Sequence, residues 1–282
     1  MNDKLKPVTP DEYKSQIVEL LGRIHKICTD NDIRYTIAFG TLLGAVRHNG
    51  FIPWDDDIDI CMPREDYALF AEKFQSSDGR FFVLDSSTKT YYNNMARACD
   101  GKITLKLKGV LDVPKIGAFI DVFFLDHWPE SDAERKKYCE EISCMSRKVK
   151  RALPWSSYST LSLKQKAKAT ILFFNRFYNR VFVGLEKRKK QRDALLFRYA
   201  KKNTGWRSVS FDNPNRSRWF IKEDEINDFT LVKFEGIEVR APKKYHELLS
   251  GNYGDYMQLP PAEKRKTHHH FTPYWTDRNY TE

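Results

Sequence analysis

The stretch Phe39–Ile60, FGTLLGAVRHNGFIPWDDDIDI, limits the fold of this chain more tightly than any other. Asp55, Asp56, Asp57 and Asp59 fall within five positions, and such a cluster repels itself unless water or a cation screens it. Ile58 and Ile60 alternate with Asp57 and Asp59, the period-two signature of a half-buried strand, expected here over 57–61. Asp57 and Asp59 would then leave one face roughly 6.5–7 Å apart along the strand, with both isoleucines turned to a core. Two carboxylates on a rigid strand are half of a site for a hard divalent cation. Upstream, Gly40, Gly44 and Gly50 permit close backbone approach, while Thr41, Arg47 and His48 offer hydrogen bonds to anions. The combination points to metal-assisted chemistry on a phosphorylated substrate.

The remaining sequence fits one globular protein. Its 282 residues are 41% hydrophobic, enough for one large domain or two small ones. The start, MNDKLKPVTPDEY, has no apolar signal region, and no run of about eighteen apolar residues exists to span a membrane. Five cysteines without CxxC spacing read as free thiols in a reducing cytoplasm, not as zinc ligands. The net charge of +10 is concentrated: residues 135–207 hold 21 Lys/Arg against four Asp/Glu.

Periodicity predicts a capped amphipathic helix over 10–30, a short strand at 35–38 and a short helix over 42–46. A helix over 64–74 should follow the aspartate strand, then a strand at 81–85 and a strand or hairpin over 95–107. Residues 117–125 read as a strongly apolar strand, and 131–205 as two or three long basic helices. A strand pair turning at Glu235–Gly236 and a short helix ending near Gly251 should precede an irregular aromatic tail. No internal repeat or low-complexity linker is present. The domain reading is therefore a single unit: a core over 10–130, a basic helical insertion over 131–210, and a segment over 211–282 that returns to the core.

Asp121, inside AFIDVFFL, is the third informative carboxylate, since an acid in such a run must be paired, protonated or metal-bound. Alone it reads as a satisfied strand aspartate; with Asp57 and Asp59 it completes a carboxylate triad on neighbouring strands, as phosphoryl-transfer sites require. The blocks GTLLGAVRHNGFIPWDDDIDI, FIDVFFLD and YGDYMQLPPAEKRKTHHH, spread over nearly the whole chain, resemble the LicD family, which includes bacterial phosphocholine transferases, and more distantly the fukutin-type transferases.

That resemblance implies an α+β fold with a nucleotidyltransferase-like core: a small mixed sheet, flanking helices and a glycine turn ahead of the acidic strand. It implies Gly40 and Thr41 at the phosphate-contacting turn, and Asp57, Asp59 and Asp121 as catalytic residues and ligands of Mg²⁺ or Mn²⁺. Gly40-Thr41 stands where the superfamily commonly has Gly-Ser, which keeps the hydroxyl. The implied reaction moves phosphocholine from CDP-choline to a hydroxyl of a cell-surface glycan precursor, of lipopolysaccharide or teichoic-acid type. Two alternatives stay open: the same fold using CDP-ribitol, CDP-glycerol or a sugar nucleotide, and a nucleic-acid-directed nucleotidyltransferase.

The supporting residues have competing readings. Arg47 and His48 suit either substrate phosphate or a structural ion pair with the aspartates. Trp54 suits stacking on a base, shielding a choline-like cation, or burial beside the strand. Arg97 suits a phosphate clamp. His268, His269 and His270 read as native residues of the third block. The basic segment, apolar and cationic over 164–190, suits a solvated face, a peripheral contact with anionic lipid or glycolipid, or phosphate backbones. In the absence of a nucleic-acid module the lipid contact ranks above nucleic acid. The expected location is the cytoplasm, peripheral at the inner face of the plasma membrane.

Overall fold

The computed structural model describes residues 5–89, 91–107, 116–152, 184–200, 202–209, 219–267 and 271–276. Helix α1 (Pro10–Asp30) buries the stripe Ile17, Leu20, Leu21, Ile24 and Cys28, and a capping box between Thr9 and Glu12 fixes its start. The chain continues through β1 (Thr36–Ile37), α2 (Phe39–His48), β2 (Asp59–Pro63), α3 (Arg64–Phe74), β3 (Phe81–Leu84), β4 (Ala96–Asp100), β5 (Ile103–Leu107) and β6 (Ala118–His127). Helices α4 (Asp132–Arg151) and α5 (Leu185–Leu196) follow, then β7 (Trp206–Val209), β8 (Phe220–Lys222), β9 (Phe229–Phe234), β10 (Ile237–Pro242), α6 (Tyr245–Tyr253) and β11 (Phe271–Trp275). The fold is mixed α and β, as the composition and patterning imply.

The main sheet runs β1-β2-β6-β4-β3, with β2 and β6 parallel and the other pairs antiparallel. Strand β6 organises it. One edge of β6 pairs with β2 over Asp121–Leu125; the other pairs with β4 over Ala118–Val122 and then with β7 over Leu125–His127. Two strands sharing one edge curl the sheet, and β8 extends it beyond β7. Nearly every residue of β6 is buried, which accounts for its continuous apolar reading. Helix α1 and the sheet enclose the main core, while Trp128, Tyr138, Ile142, Leu195 and Leu196 form a second cluster that joins α4 to α5.

The C-terminal elements seat on this core. Arg240 of β10 donates to the Ile33 carbonyl at 3.0 Å. The β9–β10 turn meets the loop after α2: Glu235 N–H donates to Asn49 O at 2.9 Å, and Phe51 N–H donates to Glu235 Oε1 at 2.9 Å. Glu235 adopts a left-handed φ of 48° there.

Several local expectations are corrected. The ladder of the aspartate strand begins at Asp59, so Asp57 lies in the loop ahead of it; Pro53 and Trp54 form a turn that delays strand entry. Helix α2 starts at Phe39 and runs to His48, longer than 42–46. Residues 95–107 make two strands that part company: β4 stays in the main sheet, and β5 pairs with β11. The tail is not wholly irregular, because Phe271–Trp275 is that partner strand. Strand β7 lies inside the expected helical insertion over 131–210, so that span is not helical throughout. The segment itself is not a uniform solvated face: Lys189 and Arg192 of α5 are buried and donate to the carbonyls of Thr88 and Tyr92. Residues 164–183 and His268–His270 lie outside the described residues. None of the described helices is long and apolar enough to cross a membrane.

Gly44 shows why the glycine run is needed. A Cβ there would stand 2.4 Å from the Gly50 carbonyl oxygen, where the chain folds back along α2 after Asn49 closes the helix in a left-handed conformation. Gly44→Ala is expected to cost about 1–3 kcal/mol in a denaturant titration, because the obstructing atom is backbone and cannot swing away. Gly22→Ala, which meets nothing within 4 Å, is the control and should be neutral or mildly stabilising.

Candidate active site

Three chain segments converge at one end of the sheet. The first joins α2 to β2. Ala38 N–H donates to Asp59 O at 3.0 Å, and Asp59 N–H donates to the Thr41 hydroxyl oxygen at 2.8 Å. Thr41 is buried, so its side chain acts inside the protein, fixing the backbone of Asp59 against the first turn of α2. Phe39, at a left-handed φ of 47°, makes the sharp entry into that turn and is held against Phe123 and Trp219. Gly40 follows, with Asp55 Oδ2 2.9 Å from where a Cβ would sit. Ala38 offers no side-chain cap, so the positive end of α2 lies beside this aspartate.

The second segment is the row formed by β2, β6 and β4. Asp59 is the register partner of Asp121 on the parallel strand, and Asp121 is the register partner of Arg97 on the antiparallel one. Register partners on paired strands share a face, so these three side chains stand side by side at strand spacings of about 4.8 Å. Arg97 Nε donates to Asp121 Oδ1 at 2.8 Å, and its guanidinium lies 3.9 Å from the Phe119 ring centroid. Burial alone would lower the pKa of Arg97; the Asp121 carboxylate outweighs it and holds the guanidinium firmly charged. Ile58 and Ile60 are fully buried behind the row, as the alternation predicts.

Asp59 is under the opposite stress. Desolvation, then the charges of Asp57, Asp121 and Asp55, push its carboxyl well above the usual carboxylate range, with Arg97 only partly offsetting them. Crowded oxygen ligands of this kind match the chemistry of a hard divalent cation. No three His, Cys, Asp or Glu side chains among the described residues are drawn together as a ready ligand group. Asp121 already commits Oδ1 to Arg97 and would offer its other oxygen.

The third segment is the C-terminal block. Gly40, Leu43 and Arg47 lie at i, i+3 and i+7 on one face of α2, and that face lines a cavity of about 490 Å³ closed by Trp54, Asp55 and residues 253–261. Arg47 Nη1 donates to the carbonyls of Tyr256 at 2.8 Å and Gln258 at 3.3 Å, and its Nε donates to His48 Nε2 at 2.9 Å. Its Nη2 is buried with no partner among the described residues. Burial and the neighbouring Arg47 charge lower the pKa of His48, so a neutral ring accepts from Arg47 and holds it in place. Trp54 is half-buried, with the Arg265 guanidinium 5.6 Å from its ring centroid.

The structure thus brings Asp59, Asp121 and Arg97 into one row, with Gly40, Arg47, Trp54 and Asp55 in the adjoining cavity. Thr41 and His48 act through their neighbours. Sequence reasoning missed Asp126, the last residue of FIDVFFLD. It pairs with Arg64 through both oxygens at 2.5 and 2.6 Å and ties the start of α3 to β6. It also missed Tyr256, whose carbonyl binds Arg47 and whose hydroxyl meets His246. The repetition of aspartate five residues after Asp121 was the available signal for the first; nothing local signalled the second.

Several known proteins are similar in sequence to this chain. Residues 32–127 match the family described as LicD/FKTN/FKRP, nucleotidyltransferase domain. The lipopolysaccharide cholinephosphotransferase LicD of Haemophilus influenzae is 28% identical over 271 residues, covering 94% of this chain and 97% of that protein. An uncharacterized protein of Rickettsia prowazekii is 52% identical over 50 residues, 18% of this chain and 19% of its own length. Mannosyltransferase regulator 4 of Saccharomyces cerevisiae is 27% identical over 133 residues, 43% of this chain and 10% of its own length. The matched region, residues 32–127, holds the whole row of Asp59, Asp121 and Arg97.

Proposed function

We propose that this protein is a phosphocholine transferase acting on a hydroxyl of a cell-surface glycan precursor, with CDP-choline as donor. The observation that carries the reading is the register alignment of Asp59, Asp121 and Arg97 beside a cavity lined by Arg47. The full-length likeness to a lipopolysaccharide cholinephosphotransferase supports it.

In this account Asp57, Asp59 and Asp121 would hold Mg²⁺ or Mn²⁺, which would supply charge neutralisation for the donor pyrophosphate. Arg47 takes a phosphate oxygen and is steadied by His48 and two carbonyls. Arg97 keeps Asp121 oriented. The acceptor hydroxyl attacks the phosphorus that bears choline, its proton passing to Asp121, while the bond from that phosphorus to the CMP oxygen breaks and CMP leaves. The excess of positive charge over 135–207 supports an anionic, glycolipid-bearing surface as the place of transfer.

A thermal-shift panel of cytidine diphosphate conjugates with Mg²⁺ tests the donor. CDP-choline is expected to raise the melting temperature more than CDP-glycerol or CDP-ribitol, since saturation at a hundred times Kd contributes about 2.7 kcal/mol. Preferential stabilisation by another conjugate would reassign the transferred group. Arg47→Lys separates binding from structure: an ammonium cannot fill both the carbonyl contacts and a fork-like phosphate contact. Turnover per folded molecule should fall at least tenfold with a modest loss of stability. A variant that loses stability but turns over normally would make Arg47 a structural tie alone.

A further inference from the structure

The cavity beside the acidic row is lined by Arg47, by three aromatic residues, Trp54, Tyr253 and Tyr256, and by Asp55 and Asp255. Aromatic faces with carboxylates are what a desolvated organic cation requires. Trp54 already accepts a guanidinium near its ring. At about 490 Å³ the space holds a small headgroup with its phosphate. We infer that this cavity is the subsite for the transferred group, taking its phosphate at Arg47 and its alkylammonium end between Trp54, Tyr253 and the Asp55 and Asp255 carboxylates.

The inference rests on the proposed transfer reaction and adds which residues select the alcohol. Charge, not shape, is the selecting property: a quaternary ammonium gains attraction from the aromatic faces and from the Asp55 and Asp255 carboxylates, an attraction that the uncharged ends of ribitol and glycerol lack. Tyr253 is 45% exposed, so the cavity opens at its rim and admits a donor without unfolding the C-terminal block.

The test compares CDP-choline with its neutral carbon isostere, in which a tert-butyl group replaces trimethylammonium, by CMP release with Mg²⁺ present. Wild type is expected to favour CDP-choline by roughly tenfold in kcat/KM, the scale of a desolvated cation–aromatic contact. Trp54→Leu and Asp255→Asn should each bring that ratio toward one. Asp255 is exposed and asparagine is nearly its isostere, so this second variant keeps the test valid should Trp54→Leu fold poorly. Equal use of the two donors by wild type, or an unchanged ratio in Asp255→Asn, would overturn the subsite while leaving the transfer reading in place. Release of CMP from neither donor would overturn both.

Discussion

Replacing Asp59 by asparagine is expected to reduce turnover by at least about a hundredfold while making the metal-free protein more stable at neutral pH. The two effects share one cause. Asp59 stands beside Asp121 on the next strand, with Asp57 and Asp55 close enough to oppose its ionisation, and its carboxyl is raised well above the usual range. A carboxyl raised on folding disfavours the folded state once it ionises. Its cost is absent below the unfolded carboxylate pKa of about 4 and grows as pH rises through the folded value. The stability gained by Asp59→Asn should therefore vanish near pH 4 and reach its full size above the folded pKa. Added Mg²⁺ should stabilise wild type and leave the variant unchanged. Retention of more than a tenth of wild-type turnover, or equal Mg²⁺ stabilisation of both proteins, would remove Asp59 from the metal-binding set.

Arg207→Met is expected to be the most destabilising of the proposed changes outside the site, at about 3 kcal/mol by urea titration. Arg207 lies on β7 and is only 3% exposed. It donates to Glu223 through Nε and Nη2 at 2.5 and 2.9 Å, to Glu65 through Nη1 at 2.9 Å, and to the Leu125 carbonyl at 3.2 Å. Burial alone would lower its pKa, but the two glutamates reverse that and keep it charged. Its loss leaves the Leu125 carbonyl without this donor and two carboxylates without their shared cation, where β7 and the first turn of α3 meet β6. Methionine retains the volume, so the measured cost reports the charges and hydrogen bonds. Because Glu65 is half exposed, water takes part of its load, which holds the estimate to the lower end of the range for a broken buried pair, about 3–5 kcal/mol. A loss under 1 kcal/mol would show that β7 is held by its ladder and not by this network.

The elements that could be read from sequence are those whose information is local. Helices α1 and α3 have the expected bounds, Pro10–Asp30 and Arg64–Phe74, because a continuous apolar stripe and end signals lie within each. The turn at Glu235–Gly236 also lies where it was expected. What escaped depends on distant partners. Strand β11 contains Pro273, which argues against a strand, yet it pairs with β5, and the Pro273 carbonyl accepts from Val8 N–H at 3.1 Å. Of the strand or hairpin expected over 95–107, strands form but the hairpin does not, for the same reason, since β5 finds its partner about 170 residues away.

The candidate site divides along the same line. Alternation identified Ile58 and Ile60 as core, and the acid inside FIDVFFLD pointed to Asp121. The alignment of Asp121 with both Asp59 and Arg97 follows from β6 lying between two strands of opposite direction, which no local pattern encodes. Lys189 and Arg192 show the limit of charge counting: within a run of cations, only the fold determines which two turn inward to hold the carbonyls of Thr88 and Tyr92.

The central claim is that the aligned acidic row and its cavity transfer phosphocholine, and product formation tests it most directly. Purified protein, Mg²⁺ and CDP-choline labelled in the choline methyl groups are incubated with lipopolysaccharide precursor, alongside Asp59→Asn. The predicted result is CMP release in step with label appearing on the glycan, both lost in the variant. Label that stays with the nucleotide, or CMP release that is the same in wild type and Asp59→Asn, would contradict it.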